Sequence, residues 1–159
     1  MDAKIGISTE NRNKVAIALG KTLADEFVLY TKTRKAHWNV EAPDFYNKHK
    51  FFEDQYAQLA EIVDELAERI RKIGHYAPAS LKQFLSLTQL TEEDRGGHDG
   101  ESYIKTLLAD HESIIISLRG EVKEVDNAHK DAGSSDFLTS LIEQHETMAW
   151  MLRAHLPKD

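Results

Sequence analysis

Between Pro43 and Gly74 thirty residues run without proline or glycine. Their apolar positions, Phe52, Tyr56, Leu59, Val63, Leu66, Ile70 and Ile73, alternate steps of four and three. That rhythm is one face of a 3.6-residue helix, and a strand, with its period of two, cannot present it. An amphipathic helix of this length needs other helices to cover its stripe. Three further segments supply them. From about Glu10 to Trp38, Leu19, Leu23, Phe27 and Tyr30 form a stripe that continues through Arg34 to His37. From about Gly100 to Ala128 the same rhythm runs through Ile104, Leu108, His111, Ile115, Leu118, Val122 and Val125. From about Ser134 to His155, after Gly133, it runs through Leu138, Leu141, His145, Ala149 and Leu152.

The links set the topology. Asn39 to Pro43 is a short break, with Pro43 or Asp44 opening the second helix, and the third and fourth segments are also closely joined. Short links join antiparallel neighbours, whereas the span from His75 to Gly100 is a long crossover holding one small amphipathic helix, about Ser80 to Leu87. The expectation is an all-α, up-down-down-up four-helix bundle of the ferritin-like kind, with an extra short helix in its crossover. No linker, internal repeat or low-complexity tract divides residues 1–159, so one domain is expected.

Composition narrows the chemistry. The chain has no cysteine, which removes disulfides, thiolate metal sites and cysteine nucleophiles, and suits a reducing cytoplasm. The N-terminal MDAKIGISTENRNK lacks the apolar core of a signal peptide, and no window is long and apolar enough to span a membrane. A formal charge of −7 disfavours a generic phosphate-binding surface and favours metal cations as partners.

Within the second helix His49 and Glu53 share a face one turn apart, as do Asp64 and Glu68, and His37 closes the preceding helix. The step from Glu53 to Asp64 is close to three turns, so all four side chains fall within an arc of about 100°. Along the axis, however, His49 and Asp64 lie about 22 Å apart, far beyond the reach of one ion. A second copy running antiparallel, about a two-fold axis near Gln58 and Leu59, brings His49 and Glu53 of one chain opposite Asp64 and Glu68 of the other, at two equivalent sites. Mixed imidazole and carboxylate donors suit iron, manganese or zinc, with iron the first choice.

The stretch TRKAHWNVEAPDFYNKHKFFEDQYAQLAEIVDELAERI closely resembles the signature of the Dps proteins, DNA-binding proteins from starved cells, also called mini-ferritins. The resemblance extends from about Glu10 to EQHETMAWMLRAHL in the fourth helix. It implies that His37, His49 and Glu53, with Asp64 and Glu68 from a symmetry-related subunit, are ferroxidase ligands. The third ligand is often aspartate in that family, and Glu53 is one methylene longer. The resemblance further implies a hollow dodecamer that oxidises Fe(II), preferentially with hydrogen peroxide, and stores Fe(III) mineral inside. The alternatives are a nucleoid-associated DNA-binding protein with a secondary metal site, and a bundle in which a fixed zinc ion only stabilises a dimer.

Other features carry less. Trp38 and Tyr56 either pack the site or intercept stray oxidising equivalents, and packing is the expectation. His111 and His145 face each other as a hydrogen-bonded core pair or an intrabundle metal site. The absence of any Glu-x-x-His motif favours the core pair. Asp126, Asp131 and Asp136 form either a cation-focusing cluster or a solvated loop. Gly96, Gly97 and Gly100 lack the preceding strand of a phosphate loop and read as a flexible crossover. At the N-terminus Lys4, Arg12 and Lys14 are offset by Asp2 and Glu10, and the C-terminal Lys158 is followed by Asp159. Neither tail is a polycation, and DNA binding is expected to be weak or absent.

Overall fold

The computed structural model describes residues 3–92 and 97–157, so Asp2, Gly96, Lys158 and Asp159 lie outside the described residues. Its elements are α1 (Thr9–Asn39), α2 (Phe45–Lys72), α3 (Leu81–Leu87), α4 (Gly100–Asn127) and α5 (Ala132–Arg153). The starts of α1, α3 and α4 have a local cause in a capping side chain. The Ser8 hydroxyl accepts from Asn11 N–H at the head of α1, Ser80 and Gln83 form a reciprocal capping box on α3, and the Asp99 side chain accepts from Ser102 N–H on α4.

The helices form a square in which every neighbour is antiparallel. Thr22 meets Glu121 and Lys32 meets Asp110 between α1 and α4, while Gln55 meets the Met148 carbonyl and Arg69 meets Ser134 between α2 and α5. Both sets run in opposite senses, which is the up-down-down-up order expected of a long crossover. That crossover is fastened to α1. Asp25 accepts from the Thr88 hydroxyl, the Gln89 backbone N–H and the Gln89 side-chain amide at 2.6, 2.8 and 3.0 Å, and Phe84 stacks on Phe27 at 4.5 Å. Its far end is tied too. The Glu41 N–H donates to the His98 carbonyl at 2.7 Å, just before Asp99 caps α4.

Leu19, Leu23, Leu59, Leu66, Ile104, Leu118, Leu138, Leu141 and Leu152 fill the core as their periodicity required. On three helices the inward face is rotated slightly from the expected stripe. Gln55 and Ile62 are buried where Tyr56 and Val63 are only half-buried, Ile114 replaces Ile115, and Glu26 and Leu29 take the places of Phe27 and Tyr30. A polar residue on the inner face hides the stripe's centre from a pattern of apolar residues.

Helix α5 begins two residues earlier than its apolar pattern indicated, because Asp131 caps it. The Asp131 carboxylate accepts from Ser134 N–H at 3.0 Å and from the Ser134 hydroxyl at 2.6 Å, and pairs with Arg69 at 3.2 Å. Asp131 is therefore buried, while Asp126 and Asp136 are exposed. This removes Asp131 from both the cation-focusing cluster and the solvated loop considered for it. Replacing Asp131 with alanine frees a buried N–H and removes the carboxylate partner of Arg69. The expected loss is about 1–2 kcal/mol for the cap alone, read as a lower urea midpoint at unchanged slope.

Candidate metal centre

His37 lies at the C-terminal end of α1 and His49 in the second turn of α2, on either side of the short link. Their rings stack at 3.8 Å with 22° between planes. Two hydrogen bonds cross between them. His37 Nδ1 contacts the His49 carbonyl and His49 Nδ1 contacts the His37 carbonyl, each at 2.8 Å. A carbonyl only accepts, so both Nδ1 atoms carry the proton and both Nε2 lone pairs are left for another partner. A carbonyl holding the far ring nitrogen is the arrangement that orients metal-ligating histidines. The His37 carbonyl is also one of the last four of α1, which have no partner within their own helix.

Aromatic side chains brace the pair. Phe45 lies 5.1 Å from the His49 ring, and Tyr56 stands edge-on to His37 at 5.2 Å. Packing thus describes Tyr56, whereas Trp38 is 64% exposed and touches the Arg34 guanidinium instead. Glu53 follows one turn after His49 and bonds to Lys50 at 2.5 Å. That hydrogen bond holds the Glu53 carboxyl below its ordinary value, with the charges of Lys50, His37 and His49 acting in the same direction.

Asp64 and Glu68 lie on the same helix, exposed, and Glu68 pairs with Lys72 at 3.1 Å. The single chain therefore brings together His37 and His49 with Glu53 nearby, and leaves Asp64 and Glu68 far along α2. Among the described residues no three histidines, aspartates or glutamates of one chain converge closely enough to hold a metal ion.

The second histidine pair is a separate structure in the bundle centre. His111 Nδ1 and His145 Nδ1 are 2.8 Å apart, and His145 Nε2 reaches Glu26 Oε1 at 2.7 Å, all three residues being 0% exposed. This is the hydrogen-bonded core pair expected, extended by Glu26, which the sequence reading missed. Its signal was a charge at the inward i+3 position after Leu23. With Glu26 ionised, the protons run one way: His145 donates Nε2–H to the carboxylate and His111 donates Nδ1–H to His145.

Burial, and then the neighbouring His145, push the His111 imidazole well below its ordinary value of 6.5. Below about pH 6.5 the unfolded chain binds a proton that the fold refuses, so this contribution is complete at neutral pH and lost as pH falls. The expected decline is about 1.4 kcal/mol per pH unit for this one group. Urea unfolding at pH 7 and pH 5 measures it, and His111→Leu, with nothing to titrate, shows the shallower fall.

Four antiparallel helices, a long crossover and a histidine pair across the α1–α2 corner define a ferritin-like bundle. Comparison with known proteins agrees: the ferritin-like domain family matches residues 17–159. A low temperature-induced protein of Nostoc sp. is 39% identical over 152 residues, covering 96% of this chain and 85% of its own. DNA protection during starvation protein 2 of Bacillus anthracis is 35% identical over 145 residues, 91% of this chain and 98% of its own. The crystal structure of a Dps protein from Vibrio cholerae O1, described as one of a broad superfamily of ferritin-like diiron-carboxylate proteins, has a TM-score of 0.91 and 32% identity. It covers 99% of this chain and 98% of that one. The chain belongs to the Dps family of ferritin-like proteins.

Proposed function

We propose that this chain is the subunit of a ferroxidase and iron-storage shell, in which His37, His49 and Glu53 of one protomer and Asp64 and Glu68 of the partner subunit bind two ferrous ions. The observation that carries this reading is the reciprocal bonding of His37 and His49, which fixes both rings and leaves each Nε2 lone pair for another partner. The outer face of α2 supports the pairing. Ala57 and Ala60 are exposed midway between the two acid-containing pairs and are small enough for a second α2 to approach closely. Leu59 is fully buried in its own core, which leaves the opposite face of the helix for a two-fold partner at that level.

Ferrous iron is here the substrate. Two Fe(II) ions give two electrons to one hydrogen peroxide, whose O–O bond breaks to two hydroxides as two Fe(III) form, and no hydroxyl radical leaves. Anionic carboxylates favour Fe(III) over Fe(II), and the neutral imidazoles keep the sites open to a divalent ion. The product is stored as mineral inside a homo-oligomer, the dodecamer that the resemblance implies, in the cytoplasm. No described helix is long and apolar enough to cross a membrane.

On this reading DNA is protected by removal of the reagents that damage it. The N-terminal cations support the same view: Arg12 is buried and donates to the Ala3 carbonyl and the Thr9 hydroxyl, and Lys14 pairs with Glu10. Gel-shift titration is expected to give only weak, salt-sensitive complexes. Stopped-flow ferrous oxidation with peroxide, measured with assembly mass, tests the main reading. A protein that binds zinc tightly but does not accelerate iron oxidation refutes it in favour of a structural metal site.

A further inference from the structure

Beside the histidine pair one cation faces three aromatic rings. The Arg34 guanidinium carbon lies 4.7 Å from the Tyr56 ring centroid, 5.1 Å from Trp38 and 5.5 Å from Tyr30. It is held there by a 2.6 Å hydrogen bond from its Nη1 to the Tyr30 hydroxyl. The two tyrosines are linked to each other and to the site. Tyr30 meets Tyr56 edge-on at 6.2 Å, and Tyr56 meets His37 at 5.2 Å. Three oxidisable side chains thus stand within reach of the centre, and their shared neighbour is an arginine.

We infer that Arg34 protects Tyr30, Trp38 and Tyr56 against one-electron oxidation beside the metal centre. The reason is electrostatic. A guanidinium over a ring is attracted by the ring's electrons, and that attraction becomes repulsion when the ring loses one. Arginine also cannot take up a proton, so for Tyr30 its hydrogen bond offers no acceptor for the phenolic hydrogen that must leave.

The hazard is a site holding one Fe(II) rather than two. Fe(II) and hydrogen peroxide then give Fe(III), hydroxide and a hydroxyl radical, and the radical takes a hydrogen atom from a phenol to give water and a tyrosyl radical. Arg34 makes loss of an electron from these rings less favourable, so a stray oxidising equivalent is less readily passed from the site into the bundle. The purpose assigned to Arg34 rests on the ferroxidase reading, but its effect on the rings does not.

The sequence holds its own control. Trp38 and Trp150 are 64% and 62% exposed in the chain, and only Trp38 has Arg34 over its ring. Metal-free assembled protein is exposed to azide radicals from radiolysis, and oxidation at each tryptophan is read by peptide mass spectrometry. Arg34→Gln is expected to raise the Trp38 to Trp150 oxidation ratio by about two- to fivefold. Arg34→Lys, which keeps the charge, stays closer to wild type. Tyr30→Phe, which frees the guanidinium without removing it, moves the ratio the same way as Arg34→Gln and covers the case in which that variant does not fold. An unchanged ratio in Arg34→Gln, or a lysine variant as readily oxidised as the glutamine one, overturns the inference. A parallel run with Fe(II) and peroxide separates the two readings: absence of iron oxidation there refutes the ferroxidase proposal, while the metal-free ratio still judges Arg34.

Discussion

Asp64→Ala and His49→Ala subunits, each expected to be inactive in its own assembly, are expected to recover ferrous oxidation when refolded together. Loss of an outer-shell partner alone costs 10- to 100-fold in metal affinity, so loss of a ligand is expected to cut the oxidation rate by about 100-fold or more in either single variant. Under the shared-site arrangement a mixed dimer has one ruined site, lacking both His49 and the partner's Asp64, and one intact site. Random mixing at equal amounts makes half the dimers mixed, so about one quarter of all sites are restored. If each site were complete within one chain, no mixture would regain activity. Initial rates at increasing ratios of the two subunits distinguish these outcomes, and a flat line at the single-variant rate would falsify ligand sharing.

His145→Leu is expected to be the most destabilising single change in the core. Glu26 is fully buried and its Oε2 already lacks a partner, so the bond from His145 Nε2 to Oε1 is what satisfies its carboxyl group. Leucine removes that donor and strands His111 Nδ1 as well. Leaving a buried donor or acceptor unpaired costs about 1–3 kcal/mol each, more if it is charged, so two of them are a large share of the roughly 5–15 kcal/mol that holds a domain together. Glu26→Gln, which keeps a polar partner for His145, is expected to cost less than half as much. The double change of Glu26 and His145 to leucine should recover most of the loss, since an apolar replacement of the whole pair leaves no orphaned charge. Denaturant midpoints at fixed protomer concentration measure all three. A His145→Leu protein within about 1 kcal/mol of wild type would show that the buried chain of hydrogen bonds contributes little.

The particular elements show how far local information reaches. Ser80 with Gln83 marked the start of α3, and the α2 stripe marked a single long helix, because caps and periodicity act within a few residues. The alignment of His49, Glu53, Asp64 and Glu68 on one face was legible as well, since the one-turn and three-turn spacings between them belong to one helix, whereas His37 stands at the end of α1. Asp131 was misplaced because a pattern of apolar residues does not show a cap, here on Ser134, and because its ion-pair partner Arg69 is 62 residues away in sequence. Glu26 was overlooked for the same reason, its partner His145 lying 119 residues further on.

The sequence by itself determined the helices, their order and the face of α2 on which the candidate ligands stand, all consequences of a 3.6-residue repeat and of link length. The tertiary structure alone decided which way each helix is rotated, and with it that Glu26 rather than Phe27 faces the core. It also decided that His37 and His49 fix each other's tautomers through backbone carbonyls. Those facts depend on groups distant in the chain meeting at hydrogen-bonding distance, and no local pattern encodes a distance between helices.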